Sequence, residues 1–370
     1  MKPYIYTISA LLLFVSCYNK TSNIITNTID DKHYLEDITK SWQAIYLDDT
    51  SLDAIVGEIT KVLYDDGLYF ISHKPNPDNS DIVISVYNEN GKFMRKISHI
   101  GRANNEYLFL KEWDLNTSNN EVLLYDGHTS RLLRYSYMNE FIGSYQLDSS
   151  FEQMSYLYTL SDNTFFIQMK ILSEGINDLF LYNTNGNSKS LFQNKNIKTD
   201  GFMFIPMKTY FSHSNNMNYF SRYFDNNIYS IDSMGNIDHY LKLDFIPTYK
   251  KRDLRLISLE DDMRPQSYIA NIYNFNKFIL IDCREDKLLI DKRDKTITIY
   301  KRNMFVGKEI PLNQHIICSY NNYIVGFLNN IDAQNYQELI NENTPKEVIE
   351  FYKKAAENEN ATLVLYEIGK

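Results

Sequence analysis

Val86–Met94 reads VYNENGKFM, in which alternating apolar residues run into Asn90-Gly91 and resume after it. Asn-Gly is the preferred pair for a two-residue hairpin turn, because both central positions of that turn need a positive φ. Comparable hairpin turns, which we call corners, recur at 135–143 (YSYMNEFIG), 181–189 (LYNTNGNSK) and 229–237 (YSIDSMGNI). Intervals of 48, 47 and 49 residues separate the turn residues Gly91, Asn139, Gly186 and Gly235. One hairpin unit therefore repeats along the chain at a nearly constant period.

Between these corners the chain consists of short runs in which apolar and polar residues alternate, and it contains 30 Tyr and 21 Phe. Aromatic and β-branched residues favour strands, so the sequence predicts an all-β protein. A repeat of this length is typical of one four-stranded blade of a β-propeller, where radial repetition leaves only short free edges. The predicted fold is a six-bladed β-propeller, and two stacked β-sandwiches are the structural alternative.

A fifth corner is expected near Asn303 in the segment YKRNMFVGK, 68 residues after Gly235. The longer interval contains the charged segment 250–263, which we interpret as a helical insertion. A second helical insertion is predicted over about 333–358, because residues 344–347 (TPKE) read as a capping box with proline at the first helical position. The insertions could cover a central pocket or pack on the outer edge of a blade.

A propeller ring has to be closed by pairing the two ends of its domain. We expect an N-terminal strand, Ile59–Leu63 or Leu68–Ser72, to pair with the C-terminal strand Ala361–Ile368. Such pairing joins the first blade to the last and removes their free edges. The propeller domain is predicted to span residues 53–370.

Residues 1–17 read as a secretion signal with a lipid-attachment site. Lys2 precedes an apolar run, Ile5–Val15, that is too short to span a bilayer. The run ends in Phe14-Val15-Ser16-Cys17, which resembles a bacterial lipobox, in which Cys17 would be lipidated and become the mature N-terminus. An ordinary secretory signal with a chance cysteine is the alternative. Residues 18–52 are predicted to form a polar tether that leads into the propeller.

Charge and cysteine content restrict the partners and the covalent chemistry. The net charge of −9 argues against a nucleic-acid partner, because affinity for nucleic acid comes mainly from neutralising phosphates. Cys283 and Cys318 each lie in an apolar, strand-like run. They are predicted to be two buried thiols, and a disulfide between them is the alternative that an exported location would allow.

The sequence contains no recognisable catalytic or cofactor motif: nucleophile elbow, zinc-protease, P-loop and dinucleotide fingerprints are all missing. Seven histidines are scattered along the chain. We interpret them as solvated loop residues, although histidines from separate blades could converge on a metal. The prediction is therefore no catalytic residue, no metal and no cofactor.

The stretch 211–227 (FSHSNNMNYFSRYFDNN) combines aromatic and amide side chains, which suit a carbohydrate: rings stack on sugars and amides bind hydroxyls. Tyr219, Arg222 and Tyr223 are the candidate ligand-facing residues. The alternative is that tyrosines alternating along a strand simply pack one blade against the next.

Three features together resemble a known family. They are the lipobox at Cys17, the run 93–115 (FMRKISHIGRANNEYLFLKEWDL) and the C-terminal segment 360–370 (NATLVLYEIGK). With these, the chain resembles the NHL-like, six-bladed β-propeller lipoproteins of Bacteroidetes. The resemblance implies the fold and a cell-envelope location, with a lipid anchor in the outer membrane on its periplasmic face or at the cell surface. It implies no reaction.

The family motif I-G-R-G-P-G-E-Y is matched by Gly101, Arg102, Glu106 and Tyr107, with Ala-Asn-Asn in place of Gly-Pro-Gly. The motif is expected where one blade passes to the next. We expect Arg102 and Glu106 to pair there and to fix the crossover. The alternative is that this loop presents a polar group at the channel mouth, where it could hold a carboxylate, a sulfate or a sugar.

These observations favour a lipid-anchored, non-catalytic binding or scaffold module for an envelope protein or a glycan. The alternative is a propeller enzyme, a lyase or hydrolase acting on polysaccharide or peptide, whose histidine, arginine and acidic residues would converge at the central channel. A third possibility is an assembly subunit that contacts its partners through the two helical insertions.

Overall fold

The structure is a computed structural model. It describes residues 26–28, 35–76, 81–169, 177–193, 211, 217–222, 227–243, 269–283, 286–301, 310–311, 316–338 and 340–369. No helix in these ranges combines the length and the apolar character needed to cross a bilayer.

The described strands form six separate sheets, arranged as the blades of a six-bladed β-propeller. Two strands precede the first blade: β1 (Thr26–Thr28) and, after the 3-10 turn Leu35–Ile38, β2 (Thr39–Tyr46). Blade one comprises β3 (Glu58–Asp65), β4 (Leu68–Lys74), β5 (Val83–Asn88) and β6 (Phe93–Ile97). Blade two comprises β7 (Leu110–Asn116), β8 (Glu121–Asp126), β9 (Arg131–Ser136) and β10 (Phe141–Gln146).

Blade three comprises, after the 3-10 turn Ser149–Gln153, β11 (Met154–Ser161), β12 (Thr164–Met169), β13 (Asn177–Asn183) and β14 (Asn187–Gln193). The described strands of blade four are β15 (Met217–Phe220), β16 (Asn227–Asp232) and β17 (Ile237–Lys242). Blade five comprises β18 (Ile269–Asn274), β19 (Phe278–Cys283), β20 (Asp286–Asp291) and β21 (Ile297–Lys301). Blade six contains β22 (Ile316–Tyr320), β23 (Tyr323–Leu328) and β24 (Thr362–Ile368).

The first strand of a blade lies innermost in the ring. The contacts between β3 and β22, β7 and β11, and β18 and β22 join first strands of neighbouring blades. Each of the five described first strands also has the same irregularity: its register against the second strand shifts near its start. Such a bulge bends a strand and re-aims the side chain that follows it. The residues directly after the five bulges are Lys61, Glu112, Tyr156, Asn271 and Cys318.

The ring is closed by pairing an N-terminal strand with a C-terminal strand, as predicted, but our choice of N-terminal strand was wrong. β24 pairs antiparallel with β2, which becomes the outermost strand of blade six. Ile59–Leu63 and Leu68–Ser72 instead lie within β3 and β4 of blade one. The physical reason is the repeat itself: blade one already has four strands of its own, whereas blade six has an edge that only β2 is left to fill.

The predicted corners lie at equivalent places in successive blades. Gly91, Asn139 and Gly186 turn the chain between the last two strands of blades one, two and three, and Gly235 does so between β16 and β17. All four adopt a positive φ, between 71° and 85°. In blade five the corresponding corner lies between β20 and β21, where Lys295 takes φ 60°. Asn303, which we expected at this corner, follows β21 and lies outside the described residues.

The second helical insertion is present between β23 and β24 as two helices, α1 (Asn330–Gln337) and α2 (Lys346–Glu357). Phe351 of α2 meets Trp42 in an edge-to-face contact with ring centroids 5.4 Å apart, and Tyr46 lies 6.4 Å away. Both partners belong to the outermost strand β2. Of our two alternatives the structure therefore supports packing on the outer part of a blade. The other predicted insertion, 250–263, lies outside the described residues.

The predicted capping box is wrong. Pro345 is the N-cap residue of α2 with an extended ψ of 143°, and no side chain caps the helix. Because the helix begins at Lys346, Thr344 lies one residue too far upstream to reach its first turn. The Thr344 hydroxyl accepts a hydrogen bond from the Asn341 amide at 3.1 Å instead.

The core is divided into six apolar clusters, one between each pair of neighbouring blades in the described part of the chain. Each cluster is made of residues from the facing sides of two sheets, which is the packing that a closed ring requires. Cys283 belongs to the cluster between blades four and five, and Cys318 to the cluster between blades six and one. Both side chains are buried, in clusters on different sides of the ring, and they form no disulfide with each other, so the disulfide alternative is excluded.

Candidate functional site

Polar side chains gather on the inner strands of blades one, two and three, in positions where a propeller core is expected to be apolar. We call this group the polar cluster. It consists of Lys61 from β3, Glu112, Trp113 and Asp114 from β7, and Tyr156 and Tyr158 from β11. Lys61, Glu112 and Tyr156 are the residues that directly follow the bulges of their strands, so equivalent positions of three blades converge.

Lys61 joins the three blades. Its Nζ lies 2.8 Å from Glu112 Oε1 and donates to the Trp113 carbonyl at 2.5 Å. The same ammonium lies 5.3 Å from the ring centroid of Trp113 and 5.2 Å from that of Tyr156, within the range of cation–π attraction. One carboxylate and two aromatic rings thus surround a single ammonium group.

Asp114 and Tyr158 extend the polar cluster towards blade four. Asp114 Oδ2 accepts a hydrogen bond from the Thr159 amide at 2.6 Å. The Tyr158 hydroxyl accepts one from Asn218 Nδ2, on β15, at 3.1 Å. The cluster therefore forms a continuous polar path across four blades.

Burial sets the protonation of this site. It raises the pKa of Glu112, although the Lys61 ammonium opposes that shift by favouring the carboxylate. The pKa values of Tyr156 and Tyr158 are raised by burial first and by the nearby Asp114 carboxylate second. Both phenols therefore keep their protons at neutral pH.

Several buried polar atoms beside the polar cluster have no hydrogen-bond partner within the part of the chain that the structure describes. They are Trp113 Nε1, Thr159 Oγ1, Asn218 Oδ1 and both polar side-chain atoms of Gln168. Gln168 lies directly opposite Tyr156 in the sheet. A buried polar group without a partner costs about 1–3 kcal/mol, so such a concentration calls for a functional explanation.

The predicted motif at 101–107 forms the crossover from β6 to β7, as expected, but not through the expected ion pair. The Glu106 carboxylate accepts the Ala103 amide at 2.8 Å, and the exposed Arg102 makes no ion pair with it. Gly101 fits this arrangement: a Cβ there would lie 1.9 Å from Glu106 Oε2, so a larger residue would require the carboxylate to move. Tyr107 is buried, and its amide donates to the His99 carbonyl at 2.9 Å.

Arg131 of β9, rather than Arg102, fixes this crossover. Its guanidinium donates to the Glu106 carbonyl at 2.8 Å and to the Asn104 carbonyl at 3.1 Å. The Tyr135 hydroxyl donates to the Asn105 carbonyl. The loop is thereby tied to blade two through its backbone carbonyls.

Of the three candidate ligand-facing residues, the structure describes Tyr219 and Arg222, and these two lie in different surroundings. Tyr219 is buried between blades four and five, where its ring meets Tyr240 at 4.7 Å and Lys292 Nζ lies 5.3 Å from its centroid. This is the packing alternative that we considered for it. Arg222 follows β15 and is half-buried, and Tyr223 lies outside the described residues.

The described histidines do not converge. His73 is buried, where its Nδ1 accepts the Gly57 amide at 3.0 Å and its Nε2 lies 3.0 Å from the Ser85 hydroxyl. His99 stacks on Tyr135, His128 lies beside Phe109, and His239 lies beside Tyr229. Within the described ranges no three His, Cys, Asp or Glu side chains are grouped as metal ligands would be.

Sequence reasoning missed the polar cluster. Its signal was present in the runs EITKVLYD, LKEWDLN and MSYLYTLS, in which a lysine, a glutamate or a tyrosine interrupts an apolar strand. Each run alone reads as an ordinary half-buried strand. Only the ring brings the three equivalent positions into contact.

The bulged inner strands and the polar cluster define a six-bladed β-propeller with a candidate ligand site beside its axis. Residues 20–367 match the family described as a domain of unknown function, DUF4934, and the chain belongs to that family. No functionally curated protein matches it in sequence.

Two crystal structures from Bacteroides species are similar to the chain. One, from Bacteroides fragilis and described provisionally as an exported protein, has a TM-score of 0.72 at 15% identity, over 94% of this chain and 100% of that one. The other, a member of the DUF4221 family from Bacteroides vulgatus, has a TM-score of 0.54 at 13% identity, over 89% and 96% of the two chains. At these identities the likeness shows the fold alone.

Proposed function

We propose that the protein is an exported, lipid-anchored propeller that binds a glycan, without catalysis, at the polar cluster. The observation that carries the proposal is the Lys61–Glu112 pair, held between two aromatic rings and backed by buried polar atoms that find no partner among the described residues. Sugars offer many hydroxyl groups that can donate and accept at once, so they suit a site with both kinds of unpaired group.

The charges of the site favour a neutral or amino sugar over an anionic one. Glu112 and Asp114 bring two carboxyl groups, and Lys61 brings one ammonium. In this buried site of low dielectric constant, the net negative charge would repel a sulfated sugar or a uronic acid, whereas a neutral sugar meets no such repulsion.

The site is tested by glycan binding to the full chain. A glycan array should return neutral or amino sugars, and calorimetry with the best ligand should show that Glu112→Gln weakens binding about tenfold or more, because it removes a charge-assisted interaction. Glu58→Gln is the matched control, since Glu58 pairs with Lys74 at 3.2 Å at the exposed end of blade one, the blade that carries Lys61.

The control variant should bind as the original chain does. If no glycan binds, or if Glu112→Gln binds as tightly as Glu58→Gln while both variants remain folded by circular dichroism, the proposal is wrong. A preference for sulfated ligands would also contradict it.

Export and lipid attachment are inferred from residues 1–17, and the Bacteroides fragilis protein is itself described provisionally as an exported protein. Lipid chains on Cys17 would give stable anchoring, because each buried CH₂ contributes about 0.8 kcal/mol. Cys17→Ala should abolish fatty-acid labelling in cells and release the protein from the membrane fraction. Undiminished labelling of that variant would exclude the anchor.

A further inference from the structure

We propose that one end of blade five lies on the lipid headgroups of the membrane that anchors the chain. This proposal rests on the lipid anchor at Cys17 proposed above, and it adds which side of the ring faces the membrane. The surface consists of two turns at the same end of the blade: residues 275–277 between β18 and β19, and the corner 291–296, which leads from β20 into β21. The Lys292 amide joins the two turns by donating to the Lys277 carbonyl at 2.9 Å. We call these residues the turn surface.

The chain that follows the proposed anchor enters the fold beside the turn surface. β1 begins at Thr26, which pairs in parallel with Ile297, the first residue of β21. Ile297 directly follows the corner 291–296. Eight residues separate Cys17 from Thr26. Because a chain gains at most about 3.3–3.6 Å per residue, a lipid on Cys17 lies within about 30 Å of that corner. The anchor therefore keeps blade five next to the membrane.

The turn surface is positively charged, in a chain whose net charge is −9. It contains four basic and two acidic residues: Lys277, Lys292, Arg293, Lys295, Asp291 and Asp294. No net positive charge is present at the equivalent corners of blades one to four: 88–92, 136–140, 183–187 and 232–236. Basic residues next to a membrane are attracted to anionic lipid headgroups. Of the described corners, that of blade five is therefore the one that such a membrane attracts most.

Two of the basic side chains are exposed to solvent. Lys277 is exposed, and the side chain of Arg293 is 78% exposed while its guanidinium pairs with Asp291 at 2.7 Å. Lys292 and Lys295 are partly buried and donate to backbone carbonyls. Burial lowers the pKa of Lys292 to about 8, so this side chain is still mainly charged at neutral pH. The exposed pair is thus available to contact headgroups, and the other two lysines add to the positive potential.

The polar cluster opens away from the membrane in this orientation. Its residues Lys61, Glu112 and Tyr156 lie near the starts of β3, β7 and β11, and the inner strands start at the end of the ring opposite to the turn surface. If the ring were turned over, the tether would first have to pass the length of the six-residue strand β18. That length is about 20 Å, which uses most of the reach of the tether.

The orientation is tested with the full lipidated chain in vesicles of phosphatidylcholine and phosphatidylglycerol. Asn276→Cys carries a fluorophore on the turn surface, and Asn104→Cys carries it in the exposed crossover loop at the opposite end of the ring. Lipids with a nitroxide on the headgroup should quench the label at position 276 several-fold more than the label at position 104. Cys283 and Cys318 are buried and do not take up the label.

The role of the charges is tested in the chain labelled at position 276. Lys277→Gln combined with Arg293→Gln should reduce the quenching several-fold, and added salt should weaken it as well, because salt screens exposed charges. Lys346→Gln combined with Lys353→Gln is the matched control, since both lysines are exposed on α2, in the connection at the opposite end of blade six. The control should be quenched as the original chain is.

Three results would overturn the inference and leave the lipid anchor intact. They are equal quenching of the two labels, stronger quenching at position 104, and an equal loss of quenching in the two double variants. A label at position 276 that stays unquenched on anchored chains would assign the turn surface to solvent or to another protein. If the lipidated chain does not remain with the vesicles, the anchor itself is wrong, and the inference is wrong with it.

Discussion

A chain that ends at Asn360 is expected to lose its cooperative unfolding transition. The deletion of residues 361–370 removes β24, which pairs with β2 on one side and with β23 on the other. Leu363, Val364, Leu365 and Tyr366 of this strand are completely buried and belong to the clusters on both faces of blade six. Without β24, strand β2 would have no partner, and the apolar clusters on both faces of blade six would be exposed to solvent.

A point variant in β24 tests the same ring closure in a chain that is still expected to fold. Leu365→Ala should lower the free energy of unfolding by about 2–5 kcal/mol, because it leaves a cavity between blades six and one. Leu52→Ala is the matched control, since Leu52 is 92% exposed, and it should change stability by less than about 0.5 kcal/mol. Urea unfolding followed by circular dichroism distinguishes the two. Equal stabilities, or a cooperative transition in the truncated chain, would show that the ring does not depend on β24.

Asn360→Ala is expected to have the second largest effect, because one buried amide joins three parts of the closure. Asn360 Oδ1 accepts the amides of Val56 at 3.1 Å and Ala361 at 2.9 Å. Its Nδ2 donates to the carbonyls of Asp48 at 2.8 Å and Ala54 at 2.7 Å. Alanine would leave these buried backbone groups without their partners.

Each unsatisfied buried group costs about 1–3 kcal/mol, so we expect Asn360→Ala to lower the free energy of unfolding by about 2–5 kcal/mol. Asn185→Ala is the control, because Asn185 lies exposed in the hairpin turn of blade three. Thermal unfolding of the two variants side by side measures the difference. A loss below about 1 kcal/mol for Asn360→Ala would mean that water replaces the amide and that the closure does not depend on it.

The fold was readable from the sequence because its strongest signal is local. Gly91, Gly186 and Gly235 mark their corners by a backbone conformation that other residues rarely adopt, and their spacing needs no knowledge of distant contacts. The corner at Lys295 was missed for the same reason, since it turns with a positive φ and no glycine. The closing partner was assigned wrongly because Thr39–Tyr46 lies some 320 residues from its partner in sequence, and nothing local distinguishes it from a tether.

The site was less readable, because it depends on register and on three-dimensional contacts. Arg102 and Glu106 suggested an ion pair by their charges, but the missing Cβ of Gly101 lets the carboxylate bind the backbone instead. Lys61 and Glu112 meet only because a bulge precedes each of them on neighbouring strands, and a bulge is a property of a strand pair. A sequence read one strand at a time does not contain that information.

The pairing of β2 with β24 determines when this protein can fold. Its two strands are separated by some 320 residues, so a nascent chain that lacks β24 cannot close the ring. Contacts this distant in sequence raise the relative contact order and slow folding. Until β24 has been made the ring stays open, which is the form required by the export that we propose above.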